Sequence, residues 1–166
     1  FGGACAACLA YVLLNVRHPG EKFVPRYENE WPLARTRGTR FYLDPRNDAL
    51  SPELPKASED ITYDPMGDGV TFSMTMERAT EITGPSALKL FVSSETEDAD
   101  LFVVLRVFDP KGKEVLFQGA LDPKTPVGQG WLRASHRKLD PKLSLAYRPY
   151  HTHDELRKLE PGKPVE

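Results

Sequence analysis

Residues 82–115 read ITGPSALKLFVSSETEDADLFVVLRVFDPKGKEV, and this stretch decides the fold. Within it, residues 87–93 (ALKLFVS) and 101–108 (LFVVLRVF) are short runs rich in β-branched and aromatic side chains. Bounded by turn formers, they read as strands of a packed sheet. Asp109-Pro110-Lys111-Gly112 follows. Proline presets φ at the second turn position, and Asp, Lys and Gly suit the others, so the chain is expected to double back into residues 115–121 as a hairpin.

Outward from this hairpin the same pattern repeats. Residues 39–43 (TRFYL) and 70–76 (VTFSMTM) alternate polar and apolar side chains as half-buried strands do. Residues 12–16 suggest a shorter strand closed by Pro19-Gly20, another strand begins at 80–82, and residues 131–139 add the last. Residues 21–37 are expected to run irregularly along a surface, with Trp31 extended ahead of Pro32. Residues 44–56 hold three prolines and read as an exposed loop. Only residues 154–159 (DELRKL) suit a helical turn, which Asp154 is placed to cap. With 15 prolines and 12 glycines in 166 residues, turns prevail over helices. The pattern supports an all-β sandwich of jelly-roll type, with a lead-in over residues 1–38 and the jelly roll over 39–166.

Lysine and arginine number 22 against 24 acidic residues, a net charge of −2, so nothing marks a nucleic-acid or anionic-membrane partner. The longest apolar runs, 6–14 and 101–105, fall far short of the roughly 20 residues a membrane-spanning helix needs. Residues 1–11 (FGGACAACLAY) lack the basic start and the methionine of a signal peptide. Cys5 and Cys8 form C-x-x-C, the spacing of a redox pair or half a zinc site, but no second cysteine pair completes four ligands. Two small apolar side chains near a terminus is the plainer reading.

Serine chemistry needs a nucleophile on a sharp turn flanked by small residues, and no G-x-S-x-G elbow exists here. Ser135-His136 juxtaposes a hydroxyl and an imidazole, but neighbours on a strand point to opposite faces and do not meet as nucleophile and base. His151-Thr152-His153-Asp154 sets two imidazoles on one side of an extended segment, a spacing that can serve a metal. With no third ligand beyond Asp154, hydrogen bonding by His151 beneath the Tyr147-Arg148-Pro149-Tyr150 turn is the expected role. Trp31, Trp131, Tyr147 and Tyr150 offer a sugar platform, weighed against burial at a loop or domain junction. The acidic run from Glu95 to Asp100 suits calcium or, more simply, a solvated loop.

Several long motifs in order, residues 17–45 (RHPGEKFVPRYENEWPLARTRGTRFYLDP), residues 82–115, GWLRASHRKLDP at 130–141 and YRPYH at 147–151, resemble one family. It is the C-terminal domain of the cocaine esterase, X-Pro dipeptidyl-peptidase and α-amino-acid ester hydrolase family of serine hydrolases. The resemblance implies a galactose-binding-like jelly roll beside an α/β-hydrolase body that holds the Ser, Asp and His. It therefore implies no catalytic residue, cofactor or metal in this chain. Trp131, Arg133, His136, Arg137, Tyr147, Arg148 and His151 become candidates for the domain interface, with Arg133, His136 and Arg137 pairing with carboxylates across it. Gly38 departs from the pattern, standing where an aromatic residue is expected. The chain is expected to stop short of the family's last strands, leaving an edge open to self-association or strand exchange.

The function expected is a non-catalytic segment of a serine hydrolase acting on acyl esters or X-Pro peptides, packed on the hydrolase domain and shaping substrate access. A free-standing carbohydrate-binding or interaction module is the alternative, and catalysis by the chain itself a third.

Overall fold

The computed structural model describes residues 27–117 and 121–166. The expected strand at 12–16, the cysteine pair and the end of the strand at 115–121 lie outside the described residues. Strands, bridges and turns make up the described chain, with one short 3-10 turn and no α-helix, so the protein is all-β. Among the described residues no helix is long and apolar enough to cross a membrane.

The contacts divide the chain into two units. One is Arg35–Thr83. Here β1 (Tyr42–Asp44) and β2 (Ala49–Ser51) pair antiparallel, with Leu43 opposite Leu50. Residues 44–56 are thus half hairpin rather than loop, because Asp44-Pro45 makes a turn. The Asp44 carboxylate accepts the Arg46 amide at 3.1 Å and the Asn47 side-chain amide at 2.8 Å, and Asp48 takes a positive φ of 49°. From the expected strand at 70–76 only Ser73 pairs, donating to the Asp48 carbonyl and accepting from the Leu50 amide.

The second unit joins residues 27–34 to Gly84–Glu166. β3 (Asp100–Leu105) and β4 (Gly128–Arg133) form a six-residue antiparallel ladder, and the 3-10 turn Ala134–His136 follows β4 directly. Between the strands, the chain doubles back at Asp109-Pro110-Lys111-Gly112 as its sequence requires. The Asp109 amide donates to the Lys113 carbonyl, the Val115 amide to that of Val107, and Gly112 adopts φ 79°. The strand expected at 87–93 makes one bridge, Val92 to Val165. No helical turn forms at 154–159. Tertiary partners take those amides instead, Arg157 donating to the Ser135 carbonyl at 2.8 Å and Leu159 to that of Glu97 at 2.7 Å.

One local device recurs. All five Asp-Pro dipeptides in the sequence turn the chain, and in each the Asp carboxylate accepts the amide two residues on. The acceptors are Asp44, Asp64, Asp109, Asp122 and Asp140, at 2.7 to 3.1 Å. Proline fixes the backbone after the aspartate while the carboxylate stands in for a backbone acceptor.

Burial is sparse. Among the described residues, Leu33, Val115, Ala134 and Leu159 are the buried apolar side chains, and Ser135 the buried polar one. Ala134 and Leu159 are held by amides that donate to Ala99 and Glu97 respectively, so the part of this core formed by Ala134, Ser135 and Leu159 sits where the end of β4, residues 97–99 and residues 157–159 meet.

Gly112 tests the central hairpin. A Cβ there meets nothing within 4 Å, so Gly112→Ala acts through the backbone alone. Denaturant unfolding should show a loss of about 1–2 kcal/mol, the cost of forcing a side chain into the left-handed region.

Candidate functional site

The β3–β4 ladder has two faces because successive side chains alternate. Asp100, Phe102 and Val104 share one face with Arg133, Trp131 and Gln129, their register partners. At its end the Arg133 guanidinium forks onto the Asp100 carboxylate at 2.7 and 2.8 Å. Arg133 holds the Asp100 carboxyl below its ordinary value, and Asp100 in turn raises the guanidinium. Beside this ion pair Phe102 and Trp131 stand directly opposite each other, 77% and 72% exposed. A recess of about 290 Å³ is lined by Asp100, Leu101, Phe102, Trp131, Leu132 and Arg133. An aromatic pair rimmed by charge can bind an apolar surface or stack on a flat ligand; it holds no acid, base or nucleophile poised for bond breaking.

The segment after β4 is a dense polar junction. Ser135 does not lie on a strand, as expected, but in the 3-10 turn closed by the Arg137 amide on the Ala134 carbonyl. Its side chain is 1% exposed, and its Oγ makes no hydrogen bond to His136 or any other base, so the nucleophile reading fails on geometry. The Ser135 amide donates to the Asp98 carboxylate at 2.9 Å. Burial opposes ionisation of Asp98, yet hydrogen bonds from Ser135 and Ala99 and the charge of Arg133 keep its carboxyl below the ordinary value. Arg137 donates to the carbonyls of Ala134, Arg157 and Lys158. Of the candidate interface residues, then, Arg133 and Arg137 find partners within the chain, and His136 meets His153 with Nδ1 atoms 3.0 Å apart.

His151 differs from expectation. Its backbone bridges Leu139, but its Nδ1 is buried with no hydrogen-bond partner. Tyr147 is half-exposed, and Arg148 exchanges backbone hydrogen bonds with Leu145 in the turn that precedes it. Among the described residues no three His, Cys, Asp or Glu side chains converge as metal ligands. The acidic run is a largely exposed loop, as the plainer reading has it, with Glu97 paired to Lys158, Asp98 to the Ser135 amide and Asp100 to Arg133. Phe102, the exposed aromatic partner of Trp131, was missed in the sequence. The alternation of residues 100, 102 and 104 carried a signal, but one without a named partner strand.

An all-β accessory domain is the class these features define. Residues 9–166 match the X-Pro dipeptidyl-peptidase C-terminal non-catalytic domain, and the chain belongs to that family. Two crystal structures of a CocE/NonD family hydrolase from Staphylococcus aureus are similar to it. One has a TM-score of 0.83 at 30% identity over 90% of this chain, the other 0.82 at 32% over 87%. The chain spans 28% and 27% of those hydrolase chains. No curated protein matches it. The fold and motifs are thus those of the non-catalytic C-terminal domain of X-Pro dipeptidyl-peptidase and CocE-like hydrolases, as the motifs around residues 82–151 imply.

Asp154 provides a pH test of the junction. Hydrogen bonds from Thr152 and Lys138 hold its carboxyl at about 2, down from 3.8. A depressed carboxyl stabilises the fold above the unfolded value and loses that contribution as pH falls through the folded one. The melting temperature should therefore drop between about pH 4 and pH 2, and less steeply in Asp154→Asn; parallel curves would exclude Asp154 from the acid transition.

Proposed function

We propose that this domain packs against an α/β-hydrolase catalytic domain through the Phe102–Trp131–Val104 face of the β3–β4 hairpin, and that this packing shapes access to the substrate cleft. The carrying observation is the pair of opposed aromatic residues, 77% and 72% exposed. Leaving Phe and Trp exposed forfeits about 1.5–3 kcal/mol or more each of burial, so a surface that presents two together is built to be covered. Aromatic anchors at the centre with an Arg–carboxylate rim match the composition of energetic centres in protein interfaces. The Asp100–Arg133 pair fixes the rim and leaves outward donor positions on the guanidinium for a carboxylate of the partner.

The hydrolase acts, in this reading, on acyl esters or X-Pro peptides, and its chemistry belongs wholly to the other domain. Membership of a non-catalytic domain family supports that division, as does the missing base at Ser135.

Phe102→Ser/Trp131→Ser in the complete hydrolase should leave the circular dichroism of the β domain intact. It should lower kcat/KM for a bulky acyl ester about tenfold or more, the loss expected from removing two interface anchors. Turnover of p-nitrophenyl acetate, small enough to need no shaped cleft, should change far less. Equal kinetics in variant and parent would sink the proposal, and saturable Trp131-dependent binding of a glycan would replace it with a carbohydrate-binding role.

A further inference from the structure

The rings of His136 and His153, 17 residues apart, meet Nδ1 to Nδ1 at 3.0 Å with centroids 5.1 Å apart and planes tilted by 45°. Two backbone constraints build this contact. His136 ends the 3-10 turn, while the Leu139–His151 bridge and the Thr152 amide on the Lys138 carbonyl, at 3.1 Å, lay residues 151–153 alongside 138–139. Lys138 is neutralised by Asp154 and Glu155 at 2.9 and 3.1 Å. His153 itself has φ 54°, a left-handed conformation that non-glycine residues seldom hold and that gathers at functional positions. Neither ring has another hydrogen-bond partner among the described residues.

We propose that His136 and His153 form a two-histidine site for a divalent transition metal of the Zn²⁺, Cu²⁺ and Ni²⁺ class. A tetrahedral zinc with Zn–N of about 2.0–2.1 Å places two imidazole nitrogens about 3.3 Å apart, so the contact needs to open by only ~0.3 Å. Two neutral imidazoles sharing one proton between Nδ1 atoms become two ligands when the donor ring moves that proton to its Nε2. The metal then takes both Nδ1 lone pairs and no net proton is lost. Imidazole suits Zn, Cu and Ni, whereas calcium and magnesium demand oxygen ligands. The Asp154 carboxylate is engaged by Thr152 and Lys138, and no third ligand joins among the described residues. The remaining coordination positions go to water, which makes this an exchangeable site and not a structural zinc centre.

The test uses the full chain carrying Cys5→Ser and Cys8→Ser, so that the C-x-x-C motif cannot bind the added ion. Calorimetric titration with CuCl₂, NiCl₂ and ZnCl₂ should give one saturable equivalent of each, with Cu²⁺ the tightest. His136→Gln and His153→Gln should each weaken binding about tenfold or more, as loss of one of two ligands demands. Ring ¹⁵N spectra of the parent chain with ZnCl₂ should move the Nδ1 signals of His136 and His153 and leave those of His151 in place, a readout that does not depend on the variants folding. No saturable binding, binding undiminished in both variants, or a shift confined to His151 overturns the proposal.

Discussion

The Leu159 amide donates to the Glu97 carbonyl at 2.7 Å, and much of the larger unit depends on the pairing this hydrogen bond belongs to. Gly162 donates to Ser94, and Val165 exchanges both backbone bonds with Val92, so the last residues run antiparallel along 92–97. One step inward, Arg157 is tied to Ser135 and Ala134 to Ala99. The end of β4 is thereby held against the start of β3 from outside the hairpin. Backbone amides taken out of water must find partners, and here they find them in segments far apart in sequence. Such pairing costs loop-closure entropy, which the burial of the apolar Ala134 and Leu159 side chains at the meeting point helps to offset.

The polar junction grows from that seam. Asp98, Asp100 and Glu97 leave one short segment and reach the Ser135 amide, Arg133 and Lys158. Arg137 gathers three carbonyls on the other side. These partners lie in segments far apart in sequence, so the charges that composition counts as a balanced surface are organised as fasteners. Their exposed members contribute little individually, but several in one network fix geometry. The same seam orients the imidazoles of residues 136, 151 and 153.

The aromatic face of β3–β4 is the complement of this organisation. Polar side chains at one end of the hairpin are satisfied internally, while Phe102 and Trp131 beyond them are left to solvent. Neither face of this hairpin is fully closed by its own chain, since Val103 and Leu105 opposite the aromatic face are also exposed. The similarity to about a quarter of a CocE/NonD hydrolase agrees with a domain that works as part of a larger assembly.

Local chemistry was legible in the sequence. The all-β class followed from residues 87–108, and the Asp109 turn followed from proline and glycine, because a two- to four-residue turn depends on the φ preferences of those residues alone. The family followed from long motifs, and the lack of a nucleophile elbow from the serines' neighbours. Which apolar runs become ladders was not legible. Residues 70–76 and 87–93 carry strand patterns but find only single bridges, since a strand exists through its partner. Residues 154–159 carry a helix cap and become extended because Ser135 and Glu97 offer their amides stronger tertiary acceptors. The sequence alone determined turn positions, strand character and kinship. Tertiary structure decided that Phe102 faces Trp131, that Ser135 is buried in a 3-10 turn, and that His136 meets His153, because each of these depends on register between segments that local preference cannot see.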